Sequence, residues 1–234
     1  PSCILKYKHT KCQLDERYAQ ILLFVPHNVE LIEKETSLNP IVQGVHAAAV
    51  EDRKCFRHKA RKYVLRVVTG NEETQKYLQQ ELPNLVDDEI LGFDFQVASS
   101  GEEVMTLFRR TDIVLCPLKN DSVLFDVEAL WSACAGIPTF VPNLSSVGAL
   151  FSSINPDSSF LVADLKGNTT HDTDIWRNKV TNAFENYENV KTESETLRKG
   201  LALNGVMYTG HLEFLANICG KTLNSHHYRT LLPD

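Results

Sequence analysis

Six short apolar runs, separated by longer segments with helical spacing, are the feature that most restricts the fold of this chain. Each run is four to seven residues long, which is about the length of a buried strand. The segments between the runs repeat apolar residues at intervals of three and four, as amphipathic helices do. This alternation predicts an α/β domain of the Rossmann-like type, with a parallel sheet of about six strands and helices on both faces. The predicted strands are residues 21–25, 63–69, 93–98, 112–117, 138–142 and 160–163.

We expect the 234 residues to form a single domain, because this length is ordinary for one domain and short for two. Its core is expected to span about residues 20–220, and residues 221–234 are expected to form a tail. Helices after the last predicted strand, including residues 211–219, should pack back over the sheet, and residues 166–174 should form an exposed loop. The chain begins with Pro1 and not with Met, so we expect it to be part of a longer protein.

Composition and charge exclude several classes of protein. Hydrophobic residues make up 43% and charged residues 23% of the chain, which argues against disordered and fibrous chains. The net charge of −6 argues against a general nucleic-acid surface, and no apolar run has the length of a membrane span. The six cysteines lack Cys-x-x-Cys spacing, which favours a reducing, cytoplasmic compartment. The eight histidines do not combine with cysteines or acids at zinc spacing, so we expect no metal and no bound cofactor.

Four predicted strand-to-helix turns are the candidate ligand site, because parallel α/β sheets bind ligands beyond the carboxyl ends of their strands. In one of them Gly70 and Asn71 precede a helix whose free N–H groups could meet a phosphate, although a single glycine is also typical of a plain turn. In another, Glu128 lies beside the apolar stripe of a helix, where its carboxylate can reach the edge of the sheet. The turns are residues 26–28, 69–72, 117–122 and 143–146.

From about residue 21 to residue 202, the order of elements resembles the C-terminal, nucleotide-sugar-binding half of GT-B-fold glycosyltransferases of the retaining glycogen-synthase-like group. The match is strongest over residues 104–150, where Pro117 ends a strand and Glu128-Ala129 leads to Gly136-Ile137-Pro138. The three segments that carry it read VVTGNEE, VMTLFRRTDIVLCPLKNDSVLFDVEALWSACAGIPTFVPNLSSVGALF and SSFLVADL.

The resemblance implies roles for two acidic positions. Glu128 matches the family's acid that accepts hydrogen bonds from the ribose hydroxyls. The family's other acid contacts the donor sugar, and its place falls on Asn120 at the usual spacing or on Asp121 after a one-residue deletion. We therefore name Asp121 and Glu128 as the implied catalytic pair and Asn120 as a sugar contact. The glycine-rich turn of the family is replaced by residues 122–125, so the backbone cannot approach a sugar as closely.

The resemblance also implies a site for the donor diphosphate. Where the family has basic residues after its first strand, this chain offers His27 and Lys34, and a histidine is only partly charged and makes no bidentate contact with phosphate. Ser145 and Ser146 match a small-residue turn that could donate to a phosphate, but a helix N-cap is an equally good interpretation. With Gly70, Asn71 and Pro117, these residues complete the implied nucleotide-sugar site.

The implied function is a glycosyltransferase-like domain with a nucleotide-diphosphate-sugar site that is catalytically degenerate. The family's acceptor half does not fit into the 20 residues before the first predicted strand, so transfer would need other domains of the parent chain or a protein partner. One alternative is a non-catalytic protein-interaction or signalling module. A second is a TIR-like NAD-cleaving domain, because Ser122 and Glu128 in SVLFDVEAL have the spacing of that family's catalytic segment, although over 100 residues follow Glu128.

Overall fold

The first strand, β1 (Tyr18–Phe24), lies near the middle of a six-stranded parallel sheet. The computed structural model describes residues 18–56, 60–86, 90–119, 124–156 and 161–204. Within them the strand order is β3-β2-β1-β4-β5-β6, and every neighbouring pair is parallel. This confirms the predicted fold class. The other strands are β2 (Lys62–Thr69), β3 (Leu91–Val97), β4 (Ile113–Leu115), β5 (Thr139–Pro142) and β6 (Val162–Ala163).

Eight α-helices occupy the connections and the C-terminal part of the described chain. Two of them lie between β1 and β2, one lies in each of the next four connections, and the last two follow β6. None of the helices in these described parts is long and apolar enough to cross a membrane. The helices are α1 (Val29–Glu35), α2 (Leu38–Phe56), α3 (Glu72–Glu81), α4 (Gly101–Phe108), α5 (Val127–Ala135), α6 (Ser146–Ile154), α7 (Thr169–Glu185) and α8 (Tyr187–Leu203).

The sheet separates two apolar cores. The larger core contains the buried side chains of α2, α7 and α8 together with those of one face of β1 and β2, and Trp176 within it is fully buried. The smaller core lies under α4, where the Phe24 and Phe108 rings meet edge to face with centroids 6.1 Å apart. Because the central strands are covered on both faces, their sequences are continuous apolar runs and not alternating ones.

Two local predictions differ from the structure. The loop predicted for residues 166–174 is wrong from Thr169 onward, where α7 begins. The side chain of Asn168 caps this helix, and the Asp172 carboxylate accepts hydrogen bonds from the Lys166 and Gly167 amides at 2.9 and 3.0 Å. The apolar stripe predicted beside Glu128, which includes Val127, Leu130, Trp131 and Cys134, is also incomplete, because Ala129, Ser132 and Ala133 of α5 are buried as well. The helix predicted for residues 211–219 and the tail at 221–234 lie outside the described residues.

Candidate functional site

A cavity of about 280 Å³ opens at the carboxyl ends of β1, β2 and β4. This is the edge at which parallel α/β sheets bind ligands. The ends of β1 and β2 form its floor, and the turns that follow the strands form its rim. The start of α5 closes one side with a mixture of apolar and acidic side chains, which are Leu124, Phe125, Asp126 and Glu128.

The rim formed by the first two turns is held together by the backbone carbonyl of His27. This carbonyl accepts hydrogen bonds from Asn71 Nδ2 at 2.6 Å and from Thr74 Oγ1 at 2.8 Å. Asn71 Oδ1 accepts from the Thr74 amide at 2.8 Å and so caps α3. A Cβ atom on Gly70 would lie 3.2 Å from that of His27, so the glycine lets the two turns approach. The exposed His27 side chain therefore sits on a well-fixed rim.

The turn between β4 and α5 buries a carboxyl group beside the cavity. Asp126 Oδ1 accepts from the Ala129 amide at 2.7 Å and caps α5, while Oδ2 accepts from the Cys116 thiol at 2.9 Å. Burial raises the pKa of Asp126 to about 6, against the lowering effect of these hydrogen bonds. Burial and the neighbouring Asp126 raise the pKa of the Cys116 thiol well above its usual range. The thiol therefore stays protonated and serves as a donor to the carboxyl group.

Glu128 lies in the first turn of α5 and faces the cavity. Its side chain is half-buried, and its charge contributes to raising the pKa of both Asp126 and Cys116. A carboxylate in this place can accept two hydrogen bonds from a ligand's hydroxyl groups. It is the acidic group of the cavity best placed to meet a ligand, because Asp126 is occupied by its cap and by the thiol.

Lys119 and Lys34, two lysines close in sequence to the lining, make contacts outside the cavity. Lys119 Nζ donates to the carbonyls of Glu33 and Lys34 at 3.0 and 2.7 Å and so caps the end of α1. The Lys34 side chain is 75% exposed, and its Nζ lies 3.9 Å from Glu35 Oε1. Of the described residues that line the cavity, none is a lysine or an arginine.

The turn between β5 and α6 is a closed turn, which means here that its capping side chain is hydrogen-bonded to backbone groups of the same turn. Ser145 Oγ donates to the Pro142 carbonyl at 2.8 Å and accepts from the Gly148 amide at 3.0 Å, and only 1% of the Ser145 surface is exposed. A Cβ atom at Gly148 would lie 1.9 Å from the Pro142 oxygen. Ser146 is exposed as the first residue of α6. The described cavity lining does not include this turn.

The structure brings four of the predicted site residues together around the cavity: His27, Gly70, Pro117 and Glu128. Asn71 is the N-cap of α3 and does not line the cavity. Lys34, Ser145 and Ser146 are also outside the lining. Asn120 and Asp121 lie outside the described residues. Ligand binding by these residues stays a prediction.

The contact between Asp126 and Cys116 was not predicted from the sequence. An aspartate just before an apolar helix is a typical N-cap, so the cap could have been found from the sequence. No sequence signal indicates that the thiol of a buried strand end meets it. Within the described ranges, no three His, Cys, Asp or Glu side chains come together in a way that could hold a metal ion.

The strand order and the placement of the helices define a Rossmann-type domain, and solved glycosyltransferase structures share this fold. The chain belongs to the family described as "Family 4 Glycosyltransferase in conflict systems", whose model matches residues 37–209. This match covers more than half of the chain and confirms the resemblance found in the sequence. No curated protein matches the sequence significantly.

Solved glycosyltransferase structures share the fold at low sequence identity. The C-terminal domain of a group 1 glycosyl transferase (LpcC) from Francisella tularensis is 12% identical with a TM-score of 0.50, over 85% of this chain and 92% of that domain. Sucrose-phosphate synthase from Thermosynechococcus elongatus is 16% identical with a TM-score of 0.54, over 97% of this chain and 50% of the synthase. The pneumococcal O-GlcNAc transferase GtfA, in complex with UDP and GlcNAc, is 12% identical with a TM-score of 0.53, over 83% of this chain and 34% of the transferase. The chain thus spans half or less of these two longer proteins.

Proposed function

We propose that the cavity is a nucleotide-sugar-type site that came with the glycosyltransferase fold, and that this chain binds its ligand without efficient transfer. The observation that carries the proposal is the convergence of Glu128 with His27, Gly70 and Pro117 around one cavity at the ligand-binding edge of the sheet. The GtfA structure, which holds UDP and GlcNAc, supports a ligand of this class for the fold.

The lining suits a nucleoside. Apolar side chains such as Leu31 and Phe125 can cover the flat faces of a base, and the Glu128 carboxylate can accept hydrogen bonds from ribose hydroxyls. A hydrogen bond to a charged acceptor contributes about 1.5–3 kcal/mol. Glu128 is therefore expected to carry a large part of the affinity.

The charges around the cavity argue for weak or absent catalysis. Transfer from a nucleotide sugar breaks the bond between the sugar and a diphosphate, so negative charge develops on the leaving group and must be stabilised by positioned donors or cations. Among the described lining residues, only His27 has a side chain that can carry a positive charge, and Lys119 caps α1 instead. The carboxylates of Asp126 and Glu128 would repel the leaving group.

We further propose that the chain acts as one unit of a larger protein. The two longer proteins of this fold have roughly 1.9 and 2.4 times its length by the shares of each chain that match, and its own fold corresponds to a C-terminal domain in the LpcC structure. The free thiols of Cys55, Cys116 and Cys134 support a reducing, cytoplasmic compartment. The second candidate is a non-catalytic interaction or signalling module, and the lack of a lysine or arginine among the described lining residues favours it.

Isothermal titration of the purified chain with UDP-, GDP- and ADP-sugars, their nucleosides and NAD tests the proposal. We expect saturable binding of at least one nucleoside-containing ligand, no donor hydrolysis, and a loss of at least about tenfold in affinity for Glu128→Ala. Glu188→Ala is the matched control, since Glu188 is an exposed acid in the first turn of α8, outside the cavity lining. Full affinity in Glu128→Ala, or no binding of any ligand, would contradict the proposal. Loss of NAD during incubation would favour the TIR-like alternative.

A further inference from the structure

The helices that begin around the cavity carry acidic residues in their first turns. These turns contain Glu30 in α1, Glu72 and Glu73 in α3, Glu102 and Glu103 in α4, and Glu128 in α5. A helix N-terminus attracts a phosphate through its positive dipole end and its free amide groups. A carboxylate in the first turn already compensates that dipole and repels a second anion. Four helix starts at this edge are therefore poorly suited to phosphate.

The free amide groups of the same helix starts are also partly occupied. Asn28 and Asn71 accept hydrogen bonds from first-turn amides of α1 and α3, and Asp126 does so for α5. In α4, Ser100 and Glu103 form a capping box that uses the amides of both residues. These donors would have to leave their caps in order to bind a phosphate.

Cationic groups near the cavity do not offset these acids. Lys119, which follows two residues of the lining, has its ammonium group 2.7 and 3.0 Å from two carbonyls at the end of α1. His27 is the group among the described lining residues that can carry a positive charge, and it is exposed on the rim. The carboxyl groups of Asp126 and Glu128 belong to residues that line the same cavity.

From this distribution we infer that the cavity selects the uncharged nucleoside part of its ligand and disfavours the phosphate groups attached to it. The inference rests on the proposed function and specifies which part of a nucleotide sugar supplies the affinity. The volume of about 280 Å³ agrees with this, because it lies just below the range of about 300–1,000 Å³ that ligand pockets span. A ligand with a diphosphate would bring two further negative charges to a rim that is already acidic.

The test compares ligands that differ only in phosphate. Adenosine, guanosine and uridine, each with its 5′-monophosphate and 5′-diphosphate, are titrated calorimetrically into the full chain at about 0.05 and 0.3 M NaCl. In the series that binds, we expect the nucleoside to bind about threefold or more tightly than its diphosphate at low salt, and the difference to narrow at high salt through screening. A diphosphate that binds more tightly than its nucleoside overturns this inference and leaves the proposed function intact. Absence of binding in all three series overturns both.

A charge-inserting variant tests the cause of the selectivity. His27→Arg adds a permanent cation with a bidentate donor geometry to the rim, so the ratio of diphosphate to nucleoside affinity should rise about fivefold. Gln79→Arg, in the last turns of α3 and exposed, creates the same residue away from the lining and should leave that ratio unchanged. An unchanged ratio in His27→Arg, or an equal rise in Gln79→Arg, contradicts an electrostatic origin at this rim.

Discussion

The turn after β4 and the turn after β5 both leave a buried strand at the same edge of the sheet, and each begins a helix through a side-chain cap. After β4, the capping Asp126 lies beside a cavity, and Glu128 two residues later faces that cavity. After β5, the capping Ser145 is bonded to Pro142 and Gly148 within its own turn. The turn after β4 thus leaves the Glu128 carboxylate beside the cavity, where a ligand can reach it. In the turn after β5, the Ser145 hydroxyl is hydrogen-bonded to backbone groups of the same turn.

A small-residue turn before a helix is therefore not sufficient evidence for a phosphate site. Ser145 has the residue type for such a site, but its hydroxyl group is buried and has both a donor and an acceptor partner. Glu128 is less suggestive as a residue type, yet it has a cavity in front of it. Accessible, uncommitted polar atoms are what separate a binding turn from a structural one.

We expect Gly148→Ala, a substitution in the closed turn after β5, to lower the stability of the chain strongly. In Gly148→Ala the new Cβ atom would overlap the Pro142 carbonyl oxygen, and the overlap can be relieved only by a shift of the backbone. We expect the free energy of unfolding in urea to fall by about 3 kcal/mol. Gly101→Ala is the matched control, because a Cβ atom there meets nothing within 4 Å. A loss below about 1 kcal/mol for Gly148→Ala would mean that the turn can open.

Asp126, in the turn after β4, should make the stability of the chain depend on pH, with an effect smaller than that of Gly148→Ala. The pKa of Asp126 is about 6 in the folded chain and ordinarily 3.8, so the folded state binds the proton more tightly than the unfolded state does. Asp126 therefore favours folding at low pH, and this contribution is lost as the pH rises through about 4 to 6. Asp126→Asn keeps a capping oxygen but cannot ionise.

We expect the unfolding free energy of the unmodified chain, minus that of Asp126→Asn, to decrease by about 2 kcal/mol between pH 4 and pH 7. Glu103 and Asp164 have lowered pKa values in both proteins and so make the unfolding free energy depend on pH in the opposite direction. Their contributions cancel in the difference between the two unfolding free energies. Urea unfolding at several pH values measures the difference. A difference that does not change with pH would show that Asp126 is not held in a buried, desolvated state.

The smallest effect separates the two neighbouring serines. Ser145→Ala removes a buried cap with two hydrogen bonds and should lower the free energy of unfolding by about 1 kcal/mol. Ser146→Ala changes an exposed side chain in the same turn and should stay within about 0.5 kcal/mol of the unmodified chain. Thermal unfolding of the two variants gives the comparison, and the reverse order would contradict the closed turn.

The fold could be predicted from the sequence because its strands are covered on both faces. The predicted runs at 63–69 and 138–142 differ from β2 and β5 by one residue at most, since burial on both sides makes a strand a continuous apolar run. The start of α7 was not predicted, because residues 169–174 are largely polar and resemble a loop. In the structure the Asp172 carboxylate accepts hydrogen bonds from the Lys166 and Gly167 amides and so fixes the start of this helix.

The candidate site could be predicted only in part. Glu128 was found because its position beside an apolar helix stripe can be read from periodicity. The bond between Cys116 and Asp126 was not, because it joins a strand end to a helix start through packing. Periodicity also gives no signal that Lys119 caps α1, since that contact joins residues 85 and 86 positions apart.

Hydrogen–deuterium exchange can locate the ligand site of this chain. The exchange is measured with and without a saturating concentration of a nucleoside that binds the chain. If the cavity beside Glu128 is the ligand site, amide protection should increase at residues 24–28, 68–71, 117–119 and 124–128, and residues 143–148 should be unchanged. Increased protection confined to residues 143–148, with the cavity turns unchanged, would contradict it and identify the turn after β5 as the binding site.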